Sequence, residues 1–203
     1  MTDPERPDRS DQPGQPARAR RPEQPDHSAR AGRLEPHPSW GTPRSKVVTW
    51  YDQAATVAGG AGLSGLEFMQ ALMAGKFPPP PIALLLNMRP TKVDRGLAVF
   101  ECTPDESVYN PIGLVHGGLV CTLADSVAGC AVHTTLAPGV GYTSIDLTVN
   151  YLRPVTLDSG TLVATGRVTK PGRRVALASA EVIDGAGRLV ATATSNCLIL
   201  PPD

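Results

Sequence analysis

The sequence has no excess of charge of either sign, few aromatic residues and no long hydrophobic run. Nineteen lysines and arginines balance 19 aspartates and glutamates, and aromatic residues make up 4% of the 203 residues. A neutral chain offers no basic surface to nucleic acid, and no apolar stretch is long enough to span a bilayer. These absences argue against a nucleic-acid partner and against a membrane partner.

The cysteines show neither a CxxC pair nor a metal-ligand spacing. This favours free thiols in a reducing compartment. The first residues also lack the charged-then-apolar layout of a secretory signal. We therefore expect a cytoplasmic protein that uses no metal and no other cofactor. The four cysteines are Cys102, Cys121, Cys130 and Cys197.

Composition divides the chain into three parts. From Thr2 to Pro38 the only branched or aromatic apolar residue is Leu34, so this segment cannot bury enough surface to offset its ordering entropy. We interpret it as part of a disordered, Pro/Arg-rich tail. Trp50 to Ala58 and Ser64 to Lys76 then carry apolar residues at helical spacing. The predicted parts are a tail over 1–45, an N-terminal helical extension over 46–81 and a main domain over 82–203.

Six β-rich runs and one long helix, about Gly118 to Thr135, make up the predicted main domain. Short turn sequences such as Asp94-Arg95-Gly96 and Pro171-Gly172 connect neighbouring runs and make them antiparallel. Two strands, one helix and four strands is an α+β pattern, in which an antiparallel sheet wraps around a central helix. The predicted strands are Ala83 to Met88, Leu97 to Thr103, Thr143 to Tyr151, Thr161 to Lys170, Arg174 to Asp184 and Leu189 to Leu200.

The start of the predicted helix carries the residues with the clearest chemistry. Gly117 and Gly118 let a ligand approach the backbone closely, and the first amides of a helix have no partner within it. Such amides stabilise negative charge that develops on a carbonyl oxygen. Asp125 lies among small and apolar residues, where an unpaired carboxylate is costly to bury. The pattern predicts an oxyanion site and a carboxylate that acts as general base or nucleophile.

These residues resemble a family signature. Asn110, His116, Gly117, Gly118 and Asp125, at these spacings, are similar to the signature of the hotdog-fold acyl-CoA thioesterases, in particular the phenylacetate-catabolism type. The resemblance covers most of the predicted main domain and implies the hotdog fold. It also implies that the histidine orients the loop and that the asparagine helps hold the water or the substrate carbonyl. Because a proline follows it, the asparagine is alternatively a turn residue.

Two further groups are candidates for the site. In related enzymes a Ser or Thr near Ser144 hydrogen-bonds the attacking water, but Thr143 differs by one residue of register, and the sequence leaves the choice open. Three basic residues flank the Pro171-Gly172 turn. They either bind the phosphates of coenzyme A, as basic residues near this hairpin do in the family, or form an ordinary charged hairpin. They are Lys170, Arg173 and Arg174.

Helix geometry separates the two halves of the predicted site. Asp125 is seven residues beyond Gly118, so it lies about 10 Å along the helix from the first amides. One acyl carbon cannot be close to both. We therefore expect Asp125 of one subunit to act with Gly117 of another across a two-fold interface. The resemblance implies the same arrangement in a homo-oligomer, a dimer or a dimer of dimers (homotetramer).

We predict an acyl-CoA thioesterase that releases a free acid and coenzyme A from an aryl-acetyl or medium-chain acyl-CoA. One alternative is a non-catalytic hotdog module that binds acyl-CoA as a sensor or scaffold, but binding alone does not need the carboxylate of Asp125. A dehydratase or hydratase on the same fold is weakened because the helix lacks a catalytic histidine. The sequence leaves open the acyl group and the choice between base and nucleophile.

Overall fold

The computed structural model describes residues 36–202. The chain divides into two compact units, Met1–Arg44 and Ser45–Asp203. Among the described residues of the first unit is one short 3-10 helix, Pro38–Trp40, and its side chains are exposed. The predicted disordered tail lies mostly in residues 1–35, outside the described part of the chain, and stays a prediction.

Four α-helices and six β-strands build the described part of the second unit. The strands form one antiparallel sheet in the order β1-β2-β4-β5-β6-β3. None of the helices within residues 36–202 combines the length and apolar character needed to cross a bilayer. The helices are α1 (Ala54–Gly60), α2 (Gly65–Met73), α3 (Pro81–Leu85) and α4 (Gly117–His133). The strands are β1 (Met88–Asp94), β2 (Leu97–Cys102), β3 (Gly141–Tyr151), β4 (Leu162–Lys170), β5 (Val175–Ile183) and β6 (Leu189–Leu200).

The long helix α4 packs on one face of the sheet and contacts all six strands. Small residues make the close approach possible. Ala124 and Ala128 of α4 are fully buried, and Gly166 of β4 lies directly under the helix backbone. A Cβ atom at Gly166 would be 2.1 Å from the carbonyl oxygen of Val127. The predicted α+β class, with a sheet around one central helix and extra N-terminal helices, is confirmed.

The prediction of a strand over Ala83 to Met88 was wrong. Pro81 occupies the first turn of α3, where its fixed φ suits a helix and its missing N–H leaves no bond unmade. Asn87, at a φ of 51°, follows the helix, and the first strand begins only at Met88. A short apolar run such as this one does not distinguish helix from strand by its periodicity.

The other predicted elements are present with shifted ends. The two N-terminal helices are shorter than Trp50 to Ala58 and Ser64 to Lys76, while the antiparallel β4–β5 and β5–β6 hairpins are as expected. Ser64 begins α2 with a capping box in which it pairs with Glu67. The predicted extension and the predicted main domain belong to one compact unit, Ser45–Asp203.

The contact at Gly166 generates a stability prediction. We expect Gly166→Ala to lower the free energy of unfolding by about 3 kcal/mol, because the new methyl group would collide with backbone atoms of Val127 and Ala128. Gly62→Ala is the control, since a Cβ there meets nothing within 4 Å, and it should change stability by less than about 0.5 kcal/mol. Denaturant unfolding measures both. Equal stability of the two variants would show that the space between Gly166 and Val127 can accept a methyl group.

Candidate active site

Asp125 and Ser144 form a hydrogen-bonded pair between α4 and β3. The Ser144 hydroxyl donates to Asp125 Oδ1 at 2.8 Å. Asp125 is half-buried, and Ser144 is exposed at the sheet edge. The neighbouring Thr143 hydroxyl lies instead 3.5 Å from the backbone oxygen of Ser144. Of the two residues that the sequence left open, the structure therefore brings Ser144 to the carboxylate.

A β-bulge turns Ser144 toward the helix. Ser144 is opposite Cys197 and Asp146 is opposite Asn196, so Ile145 is an extra residue on β3 and is 54% exposed. From the strand predicted over Thr143 to Tyr151 alone, regular alternation of side chains would place Ile145 on one face with Leu147, but the bulge shifts the register by one residue. Hydrogen bonds from Asn196 to the Asp146 carboxylate hold the pKa of Asp146 below its ordinary value and fix the bulge.

Asp125 lies between two spaces. On one side is a cavity of about 250 Å³, bounded by α2, α3, β1 and α4 and lined largely by apolar side chains. On the other side is a shallow depression that Asp125 and Ser144 share with Cys121 and Ile145. A carboxylate in this position can meet a substrate that extends from the open depression into the cavity.

His116 caps the N-terminus of α4. Its Nδ1 accepts a hydrogen bond from the Gly118 amide at 2.8 Å, and its carbonyl accepts from Leu119. The Gly118 amide is therefore already engaged. The Gly117 amide has no acceptor within the described residues, so it is the amide left to donate to a substrate oxygen. The hydrogen bond holds the first turn of α4 against the side chain of His116; the orienting role of His116 in catalysis stays a prediction.

Tyr151, at the end of β3, was not predicted as a site residue. Its hydroxyl donates to the Gly117 carbonyl at 3.0 Å and lies 2.8 Å from Cys121 Sγ. The hydrogen bond with Cys121 is the main cause that raises the pKa of Tyr151 to about 12, so the phenol is neutral. In the sequence Tyr151 only ends a predicted strand. The signal that could have identified it is that the hydroxyl of a packed tyrosine usually has a hydrogen-bond partner.

Asn110 holds the turn before the helix. Its Oδ1 accepts from the backbone amides of Ile112 at 3.1 Å and Leu114 at 3.2 Å, and its backbone amide donates to the Leu114 carbonyl. The turn role considered for Asn110 is thus present in the structure. Because Oδ1 is engaged, Nδ2 is the atom through which Asn110 would contact a substrate oxygen.

The three basic residues at the β4–β5 turn are exposed and form no ion pair within the described residues. Their hairpin is near the candidate site, because Ser144 is opposite Cys197 on β6, which is opposite Ala176 on β5. Two strand spacings amount to about 10 Å. The positive charges of Lys170, Arg173 and Arg174 thus lie at the same end of the sheet as Ser144.

The buried thiols are poor candidates for a nucleophile. All four cysteines are free. Burial raises the pKa of Cys130 to about 12 and that of Cys102 to about 11, and it also raises the pKa of Cys197. These groups are neutral thiols near pH 7. Residues 36–202 also contain no cluster of three or more His, Cys, Asp or Glu side chains that could hold a metal ion.

Asp125 and Gly117 do not meet in one chain. Both belong to α4, and eight residues of helix separate their backbones by about 12 Å. The cavity beside Asp125 is not lined by Gly117, and the depression beside Gly117 is lined by Tyr151, Val120 and neighbours but not by Asp125. A single carbonyl group cannot contact the amide and the carboxylate of the same subunit.

The sequence matches known thioesterases across this region. The model of the thioesterase superfamily matches residues 112–191. Human acyl-coenzyme A thioesterase 13 is 35% identical over 99 residues, which cover 47% of this chain and 68% of that protein. The chain belongs to the thioesterase superfamily. The predicted family and the predicted thioester hydrolase are confirmed.

Solved structures with the same fold resemble this thioesterase. A phenylacetic acid degradation-related thioesterase from Ralstonia eutropha JMP134 is 30% identical, has a TM-score of 0.59 and covers 64% of this chain and 98% of its own. A Streptococcus mutans UA159 protein, solved with acetyl CoA, is 25% identical, has a TM-score of 0.52 and covers 57% of this chain and 90% of its own. The predicted hotdog fold is confirmed.

The cap at His116 generates the prediction for this site. We expect His116→Ala to cost about 1 kcal/mol of stability, because the Gly118 amide loses its acceptor. We also expect a fall in turnover of at least about tenfold, because the Gly117 amide is no longer held in place. Asparagine is a good N-cap, so His116→Asn should keep stability and most activity. An inactive but normally stable His116→Asn would show that the imidazole itself takes part in the reaction.

Proposed function

We propose that this thioesterase hydrolyses acyl-CoA at an active site shared by two subunits. Asp125 of one subunit is the base or nucleophile, and Gly117 of the partner subunit donates its amide to the substrate carbonyl oxygen. The observation that carries the proposal is the Asp125–Ser144 pair, which lies at the mouth of an apolar cavity. A carboxylate oriented by a hydroxyl, beside a space for an acyl group, is suited to thioester cleavage.

The residues divide the reaction as follows. The Gly117 amide, with Nδ2 of Asn110, stabilises negative charge on the carbonyl oxygen. Asp125 either takes the proton of an attacking water or attacks the carbonyl carbon itself, and in the second case water then hydrolyses the mixed anhydride. Collapse of the tetrahedral intermediate expels the thiolate of coenzyme A in either case. The bond from Ser144 keeps one carboxylate oxygen fixed while the other acts.

The edge strand β3 supports an assembly of two copies. It is 11 residues long and has one open side, since among residues 36–202 it pairs with β6 alone. An unpaired edge of this length is a template for another strand. Exposed Ile145 and Tyr151 give it apolar surface to bury. Pairing of two β3 strands would bring the Gly117 loop of the partner subunit toward Asp125, and two such dimers could form the predicted homotetramer.

Coenzyme A is proposed as the leaving group on chemical grounds. The hairpin cations Lys170, Arg173 and Arg174 suit its phosphates, which charge-assisted hydrogen bonds hold well. Human acyl-coenzyme A thioesterase 13 and the acetyl CoA complex from Streptococcus mutans support the same choice. A cytoplasmic location stays a prediction, for which the four free thiols are the support.

The first test removes the carboxylate. We expect Asp125→Asn to lower thiol release from acyl-CoA by at least about 10²-fold with unchanged melting temperature, because the substitution keeps the volume and removes the proton acceptor. Asp158→Asn, at an exposed turn, is the control and should retain full activity. Near-normal turnover by folded Asp125→Asn would refute the role of Asp125 as base or nucleophile and favour a protein that only binds acyl-CoA.

The second test addresses the shared site. Asp125→Asn and Gly117→Val should each be inactive alone, the latter because a Cβ at Gly117 lies 3.0 Å from the Tyr151 hydroxyl and shields the amide. Unfolding and refolding an equal mixture makes about half the dimers mixed, and each mixed dimer has one intact site of two. Activity should therefore return to about a quarter of wild type.

The control for mixing is each variant refolded alone, which must assemble normally and stay inactive. If Asp125 and Gly117 of a site belonged to the same chain, every site in a mixed dimer would carry one lesion. Mixing of normally assembled variants would then restore nothing, and the shared-site proposal would be refuted.

A further inference from the structure

The cavity beside Asp125 is partly built by the N-terminal helices, which take no part in the chemistry. Leu72 of α2 and Ile82 of α3 line it together with the prolines between these helices, opposite Gly129 and Tyr142. We infer that the α2–α3 segment is the end wall of the acyl site and limits the acyl group to about eight carbons. This inference rests on the proposed function of Asp125.

The side chains that line the cavity suit an apolar acyl group. Leu72, Ile82 and Ala83 present only carbon atoms, as do Met88 and Phe100 apart from one thioether. Polar side chains also line it, namely Arg89, Asp125, Ser126, Cys130, Tyr142 and Ser144. Arg89 is paired at 2.7 Å with Glu101 and is exposed, while Asp125 and Ser144 are at the mouth. A substrate carbonyl at Asp125 would therefore direct its hydrocarbon chain into the cavity.

The size of the cavity sets the limit. A methylene group occupies roughly the volume of a water molecule, about 30 Å³, so the cavity of about 250 Å³ holds about eight of them. A single aromatic ring also fits, since an apolar cavity of about 150 Å³ binds benzene. A sixteen-carbon acyl group would need about 480 Å³, which is nearly twice the space.

The α2 part of the wall is held in place by contacts with the C-terminal end of α4 and the residues that follow it. The Gly65 amide donates to the Leu136 carbonyl at 3.1 Å, and a Cβ at Gly65 would be 1.8 Å from the His133 carbonyl oxygen. The Phe68 ring packs on the rings of His133 and Phe77, with centroids 5.5 and 5.6 Å apart. Leu72, one helical turn after Phe68, is thereby fixed facing the cavity.

The floor of the cavity is equally restricted. Tyr142 packs on Gly129, where a Cβ would be 2.9 Å from the tyrosine hydroxyl. Burial is the main cause that raises the pKa of Tyr142 well above its ordinary value, so the phenol stays neutral. With the floor and α2 both held in this way, the acyl group cannot extend by pushing either of them aside.

The experiment enlarges the cavity and measures chain-length preference. Leu72→Ala and Ile82→Ala each remove three carbons, which adds room for about three methylenes. We expect wild type to hydrolyse octanoyl-CoA well, and we expect its kcat/KM to fall steeply for acyl groups longer than about eight carbons. In each variant kcat/KM for dodecanoyl-CoA, relative to octanoyl-CoA, should rise at least about tenfold, since each buried methylene contributes about fourfold.

Two neighbours provide matched controls. Met73 follows Leu72 in α2 and is 42% exposed, and Leu85 is in α3 with Ile82 and is 48% exposed against 43% for Ile82. Neither control residue lines the cavity. Met73→Ala and Leu85→Ala should leave the chain-length profile as in wild type. Melting temperatures of all four variants show whether a change of profile follows from loss of folding.

A binding series separates this inference from the proposed function. Dissociation constants for octanoyl-CoA and dodecanoyl-CoA are measured in an Asp125→Asn background, with and without the wall substitutions. If hydrolysis depends on Asp125 but neither profile nor binding responds to Leu72→Ala or Ile82→Ala, the wall is overturned and the proposed function stands. If no acyl-CoA is hydrolysed but the wall variants bind dodecanoyl-CoA more tightly, the wall stands and the proposed function fails.

Discussion

The close approach of α4 to the sheet is the constraint on which the rest of the structure depends. At Gly166 the backbone of β4 is so near the backbone of Val127 that no side chain fits between them. Buried alanines along α4 continue this contact on both sides. A helix held this closely cannot rotate or slide, because interiors are packed densely and shape changes of one methyl group are felt. The positions of Gly117 and Asp125 relative to the sheet are therefore fixed together, because both residues belong to α4.

The same packing explains why one chain holds only half of each proposed site. A straight helix separates its first amide from its third turn by a fixed rise, and α4 cannot bend back to reduce it. The β-bulge at Ile145 completes the half site at the sheet edge. It turns Ser144 toward Asp125, while the outer side of β3 stays open to a partner strand. In the proposed assembly, the strand that orients the carboxylate is also the strand that brings the partner subunit.

The sequence predicted those features that depend on local pattern. The glycine pair, the carboxylate nine residues after His116 and the β-hairpins are each local signals, and the family and fold that they predict are confirmed. Features that depend on a choice between similar local structures were not predictable. The run from Ala83 forms a helix because Pro81 precedes it. In β3, one bulged residue breaks the regular alternation of side chains at Ile145. The cap between His116 and Gly118 was not predictable either. The motif shows residue types, but it does not show which backbone amide already donates a hydrogen bond within the chain.

The proposed site separates chemistry from selection. The carboxylate and its hydroxyl belong to α4 and β3, which the core fixes, whereas the proposed end wall belongs to α2 and α3. These short helices contact the core through side chains such as Met69 and Ala83, and neither helix carries Asp125 or Ser144. A thioesterase built in this way can change the acyl group that it accepts while the geometry at the carbonyl stays the same.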